Sequence, residues 1–127
     1  MHELRIERVF HAEHAIRLYD GSLEPLHPHD WCTLVYVTAG RLDAIEVVMD
    51  FHELERIVEA VLAPLHNRSL NDLPFFAAVN PTAERVAEHL FNQIAPELPK
   101  AVALAKVTVT EAPGCRASYL GSNPSNR

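Results

Sequence analysis

Three histidines near the N-terminus carry the clearest chemical pattern in this chain. His14 ends one alternating stretch, and His27-Pro28-His29 opens another. Residues two apart on an extended strand point to the same face, so His27 and His29 present their imidazoles side by side. A third imidazole from a paired strand would complete a three-nitrogen set. Three protein ligands with one open position is the usual arrangement of catalytic zinc, as opposed to structural zinc. The chain holds 8 histidines in 127 residues, so a chance H-x-H is not rare and the setting must decide. His2 and His89 read as surface histidines. His52, beside Phe51 at a helix start, reads as solvated.

The elements that must position these groups follow from hydrophobic periodicity. Over 3–14, Leu4, Ile6, Phe10, Ala12 and His14 share one face and Glu3, Arg5, Glu7 and Glu13 the other, which predicts a half-buried strand despite Arg8 on the apolar side. Asp20-Gly21-Ser22 and Pro25 predict a loop. Residues 29–39, rich in Trp, Thr, Val and Tyr, predict a second strand. Phe51, Leu54, Ile57, Val58, Val61, Leu62 and Leu65 fall at helical spacing and predict an amphipathic helix. Residues 66–80 read as a long loop, of a length that is usually functional in a small domain. Asn80 is the expected cap of a second helix, with Pro81 at its first position and Ala83, Val86, Ala87, Leu90 and Ile94 as its buried stripe. Val107, Val109 and Glu111 share a face of a third strand over 101–111, and a short strand follows at 117–120. The tail from 121 to 127 reads as frayed.

The order is ββααββ, an α+β fold with a four-stranded antiparallel sheet and two helices on one face, in a single domain over residues 1–127. Four strands leave open edges, which favour oligomers. A net charge of −6 and a pI near 5.7, with no basic run, argue against nucleic-acid or anionic-membrane partners. There is no apolar stretch of membrane-spanning length and no signal-peptide pattern. Cys32 and Cys115 make no disulfide framework. A cytoplasmic protein with free thiols is the expectation.

Six segments, in order, carry a resemblance. Phe10-His11-Ala12-Glu13-His14 resembles an F-x-A-x-H segment, and Leu26-His27-Pro28-His29 an L-H-G-H motif. Asp50-Phe51 resembles the D-F before a first helix, and Leu70-Asn71 the L-N of an inter-helix loop. Pro81-Thr82-Ala83-Glu84 resembles P-T-x-E, and Thr110-Glu111 the end of a late strand. Together they resemble the 6-pyruvoyl-tetrahydropterin and 6-carboxy-tetrahydropterin synthase family. The resemblance implies a tunnelling fold whose sheets join into oligomeric barrels, commonly hexamers. It implies Zn²⁺ held by His14, His27 and His29, and a 7,8-dihydroneopterin triphosphate substrate. It also implies that Glu111 anchors the pterin. A carboxylate suits that role because it accepts two parallel hydrogen bonds from the aminopyrimidinone edge; without a ligand it is a solvated strand-end acid.

The departures fall on proton transfer. The family's cysteine position is Leu23, and its Asp-His pair is His66-Asn67. Glu24 is one replacement, as a general base if burial raises its pKa; the alternative is an exposed loop acid. Some members of the family this chain resembles that lack the cysteine have a glutamate near this place and release 6-hydroxymethyl-dihydropterin instead. His66 is the second, as a proton shuttle or merely a helix-end cap. Cys32 should point away from His27 and His29, and Cys115 follows Glu111 around a Pro-Gly turn. Pro28 in place of glycine requires that strand pairing begin after it or that it lie at a sheet edge. The expected activity is a zinc-dependent pterin lyase. Its product is 6-pyruvoyl or 6-carboxy pterin, the latter feeding deazapurine (queuosine-type) synthesis, or a hydroxymethyl pterin for folate synthesis. A zinc- and pterin-binding homologue without catalysis is the rival.

Overall fold

The computed structural model describes residues 1–122. The expectation of a frayed tail therefore falls, for 123–127, outside the described residues. Gly121 itself is seated: at φ +84° it brings its backbone against Phe91, where an added Cβ would come within 3.3 Å of the ring.

Two long strands, β1 (His2–His14) and β2 (His27–Ala39), form the middle of the sheet. They pair antiparallel in unbroken register from His2 opposite Ala39 to His14 opposite His27. β4 (Ala103–Ala112) pairs with β2, and β5 (Cys115–Tyr119) with β4. A two-residue strand, β3 (Arg68–Ser69), adds to β1 in parallel. The sheet order is β3-β1-β2-β4-β5, so the four expected strands are present with a fifth, parallel one beside them. That strand and two 3₁₀ turns, Leu70–Asp72 and Pro74–Ala77, occupy the stretch expected to be a long loop. Their order has a packing cause: Leu70 and Phe76 are fully buried, and the Asn71 side chain both accepts from Ala15 N–H and donates to Ala15 C=O, at 2.8 Å each.

Helix α1 (Phe51–Leu62) starts where the Asp50 carboxylate accepts from His52 N–H, satisfying one of the unpaired first-turn donors. It buries Leu54, Val58 and Leu62. Helix α2 (Ala83–Ile94) starts two residues later than the sequence suggests. Thr82 is its cap, accepting from Arg85 N–H. Asn80 is spent elsewhere, its side chain bonding both the N–H and the C=O of Arg17. The core lies between the helices and one sheet face, around Phe10, Trp31, Val35, Val58, Leu90 and Val107. Arg8, the misfit of the apolar face, reaches under α1 to Glu55 and Glu59.

Pro28 stands opposite Glu13 inside β2. β4 pairs with β2 only from Cys32 onward, so at Pro28 the strand has a single neighbour and no second ladder to interrupt. One surface assignment changes. His89 is half-buried between α1 and α2, its ring centroid 4.5 Å from that of Phe75 and 5.7 Å from that of Phe76. Burial holds its pKa below the usual histidine value. His52 is exposed.

Candidate metal centre

The β1–β2 register sets His14 directly across from His27, and Ala12 across from His29. Period-two alternation then turns all three imidazoles to the core face. Their ring centroids lie 4.6–5.0 Å apart, pairwise, at steep angles. Trp31, two residues further along β2, is fully buried. It walls the group edge-on, 4.9 Å from His14 and 5.7 Å from His29. Its indole N–H is fixed on Ala12 C=O. The tryptophan is core and also the floor of the site.

Two of the three rings are oriented from behind. His14 Nδ1 lies 2.7 Å from Pro81 C=O. His27 Nδ1 lies 3.0 Å from Pro25 C=O. A carbonyl only accepts, so both Nδ1 atoms carry a proton, and in the neutral form of each ring the lone pair falls on Nε2. This is the back-bonding that fixes tautomers at metal-ligating histidines. The Nε2 atoms of His14 and His29 are buried with no hydrogen-bond partner. Such orphaned acceptors are costly unless something electrophilic sits in front of them. Burial, outweighing the pull of Glu111, keeps the His29 pKa low and its imidazole neutral. Exposure rises across the set, from 1% for His14 to 21% for His29 and 38% for His27. Access to the group is therefore from the His27 side. The donor set fits a zinc-like divalent ion.

Glu111 completes the cluster. It follows Val107 and Val109 on the core face of β4, and it falls in a bulge where β5 loses register between Thr110 and Ala112. Bulges re-aim side chains. Glu111 Oε1 stands 3.3 Å from Nε2 of both His14 and His29. One ligating atom from each of His14, His27, His29 and Glu111 lies within 4.8 Å of all the others. Glu111 also lines a cleft of about 380 Å³ shared with Glu84, Cys115, Arg116 and Ser118. The cleft positions of Glu84 and Arg116 were not read from the sequence. P-T-x-E marked Glu84 as part of a helix start, and nothing marked Arg116.

The candidate proton-transfer residues part company. Glu24 lies beside the cluster, its Oε1 accepting from Ile16 N–H at 2.9 Å and standing 3.8 Å from His27 Nδ1. His66 lies outside it. Its Nδ1 accepts from His11 N–H at 3.0 Å, while Asn67 N–H donates to His11 C=O at 2.6 Å. Leu23 is an exposed aliphatic chain. Cys32 pairs with Val9 on the opposite sheet face, where burial and the nearby Glu7 carboxylate raise its pKa. Cys115 is exposed at the rim of the cleft.

A sheet with two helices over one face, presenting three converging imidazoles and a strand-end glutamate, defines a class before any comparison is made. The sequence profile of the 6-pyruvoyl tetrahydropterin synthase family matches residues 3–122, and the chain belongs to that family. A dihydroneopterin monophosphate aldolase of Pyrococcus furiosus is 32% identical over 102 residues, 80% of this chain and 82% of that protein. The human 6-pyruvoyl tetrahydrobiopterin synthase is 36% identical over 88 residues, 67% of this chain and 59% of the human one. The 6-pyruvoyl tetrahydropterin synthase of Caenorhabditis elegans superimposes with a TM-score of 0.79 at 26% identity, covering 96% of this chain and 98% of that one. The architecture is the tunnelling fold of these synthases. No helix among the described residues is long and apolar enough to cross a membrane.

Proposed function

We propose that this chain is a metal-dependent lyase acting on a phosphorylated 7,8-dihydroneopterin, and that it cleaves a side-chain carbon–carbon bond to release 6-hydroxymethyl-dihydropterin. The observation that carries this reading is the pair of unpartnered imidazole nitrogens, on His14 and His29, beside Glu111, with Glu24 next to His27 and no thiol at the position of Leu23.

His14, His27 and His29 hold the ion. Bound there, a Zn²⁺ would lower the pKa of the side-chain hydroxyls and template their orientation. Glu111 accepts the N–H pair of the aminopyrimidinone edge and fixes the ring in the cleft. Glu24, next to His27, accepts the proton of the second side-chain hydroxyl. That oxygen's electrons form the new carbonyl as the bond between the first and second side-chain carbons breaks. The released pair passes into the dihydropterin ring system, and a proton returned to the first carbon completes the hydroxymethyl group. The second fragment leaves as a phosphorylated glycolaldehyde. The Pyrococcus relative, an aldolase on a dihydroneopterin monophosphate, supports this direction.

The second reading is conversion of 7,8-dihydroneopterin triphosphate to a 6-pyruvoyl or 6-carboxy pterin, favoured by the human relative. In either reaction His66, held on His11, would serve a site only as a residue lent by another copy. The outer edges of the sheet, β5 on one side and the length of β1 not covered by β3 on the other, would give a homo-oligomer its joining strands. Zinc-loaded protein incubated with the mono- and triphosphate substrates, with products separated by mass spectrometry, tests the proposal. Hydroxymethyl pterin with a two-carbon aldehyde is expected. Inorganic triphosphate released with a pyruvoyl pterin overturns it in favour of the second reading.

A further inference from the structure

Glu111 has two places to be. One is the cleft, beside Glu84, Cys115, Arg116 and Ser118. The other is the imidazole cluster, where Oε1 is equidistant, at 3.3 Å, from His14 Nε2 and His29 Nε2. Neither nitrogen forms a hydrogen bond with it. The spacing has another meaning. Ligands about 2.0–2.1 Å from a tetrahedral zinc ion stand about 3.3–3.4 Å from one another. The carboxylate oxygen is therefore spaced as a coordination partner of the same centre, and all four donor atoms fall within 4.8 Å. The bulge gives it the freedom to leave. Thr110 faces Arg116 and Ala112 faces Cys115, which makes Glu111 the extra residue with no β5 partner.

We propose that Glu111 is an exchangeable fourth ligand: it closes the three-histidine centre in the resting protein and gives up that position when a pterin ring draws its carboxylate into the cleft. The proposal rests on the metal-site reading above. Ring recognition then opens the coordination position that the substrate side chain needs, so the centre is exposed only when a pterin is present. By linkage, a pterin without side-chain hydroxyls must weaken metal binding by the factor with which the metal weakens that pterin.

Co²⁺ serves as the probe, with affinity read by chelator competition and coordination read from visible absorption. Glu111→Gln and His27→Ala are measured beside the parent, each checked for fold by circular dichroism. Glu111→Gln is expected to bind Co²⁺ about tenfold more weakly with an altered visible band. Added 6-methylpterin should weaken Co²⁺ binding to the parent several-fold and shift its band toward that of the variant, while leaving the variant's band unchanged. An unchanged affinity and band in Glu111→Gln, with binding lost in His27→Ala, overturns the fourth-ligand proposal alone. Equal Co²⁺ binding by the parent and His27→Ala overturns the three-histidine reading and this proposal with it.

Discussion

Two histidine groups lie near one end of β1 and are built in opposite ways. On one sheet face, His11 Nδ1 is 2.9 Å from Asp30 Oδ1, its N–H is taken by His66, and its carbonyl by Asn67. On the other face His14 and His27 are bonded only from behind, and His29 stands beside them. The Nε2 atoms of His14 and His29 are buried with no hydrogen-bond partner. Residue type is the same in both groups. What differs is whether the lone pairs have been used. The first group uses its rings to seat β3 against β1. The second withholds them, at a cost in desolvation that makes sense only if a ligand repays it.

The contrast can be broken most severely at His27. Its replacement by alanine is expected to remove stoichiometric zinc and all turnover above background. Stability of the metal-free protein should move by less than about 0.5 kcal/mol, because the side chain is partly exposed; metal analysis and urea unfolding check both halves. Glu24→Gln comes next. It keeps an oxygen for Ile16 N–H and loses only basicity, so kcat should fall by about 10²–10⁴-fold with zinc content unchanged, as steady-state assays and metal analysis will show. His66→Ala should do the reverse, costing about 1 kcal/mol from the lost bond to His11 and leaving zinc content intact. Loss of zinc in that variant would show that the two groups are one.

The smallest effect concerns His89. Its folded pKa lies below the ordinary value near 6.5. As pH falls, the unfolded chain therefore takes up its proton first, and stability declines until the folded pKa is passed. His29 contributes with the same sign. Metal-free His89→Phe should lose the His89 part of this slope and keep the His29 part, giving a shallower fall in unfolding midpoint between pH 8 and pH 5 than the parent shows.

Much of this was readable because it depends on short-range periodicity. Alternation in 3–14 and the H-x-H spacing fix which side chains share a face, and cross-strand pairing does the rest. The face of Glu111 was legible for the same reason, but its place among the imidazoles was not, since the resemblance implied only a pterin anchor there and the bulge that aims it has no local signature. The β3 pairing was not, since two residues carry no period and their partner lies far away in sequence. The cap of α2 was misplaced because Asn80 and Thr82 are both good caps locally, and only the tertiary demand of Arg17 on Asn80 separates them. His89 looked like a surface residue because its neighbours on α2 are polar; the rings of Phe75 and Phe76 that cover it come from another segment. His66 could not be assigned from its motif, because its partner is a backbone amide.

The bond between His14 and Pro81 joins the imidazole cluster to the segment that leads into α2. Until that segment docks, the His14 ring has no carbonyl behind it, and either nitrogen can carry the proton. If the three imidazoles hold a metal as proposed, its capture would therefore wait on the docking of the second helix, which alone puts a carbonyl behind His14.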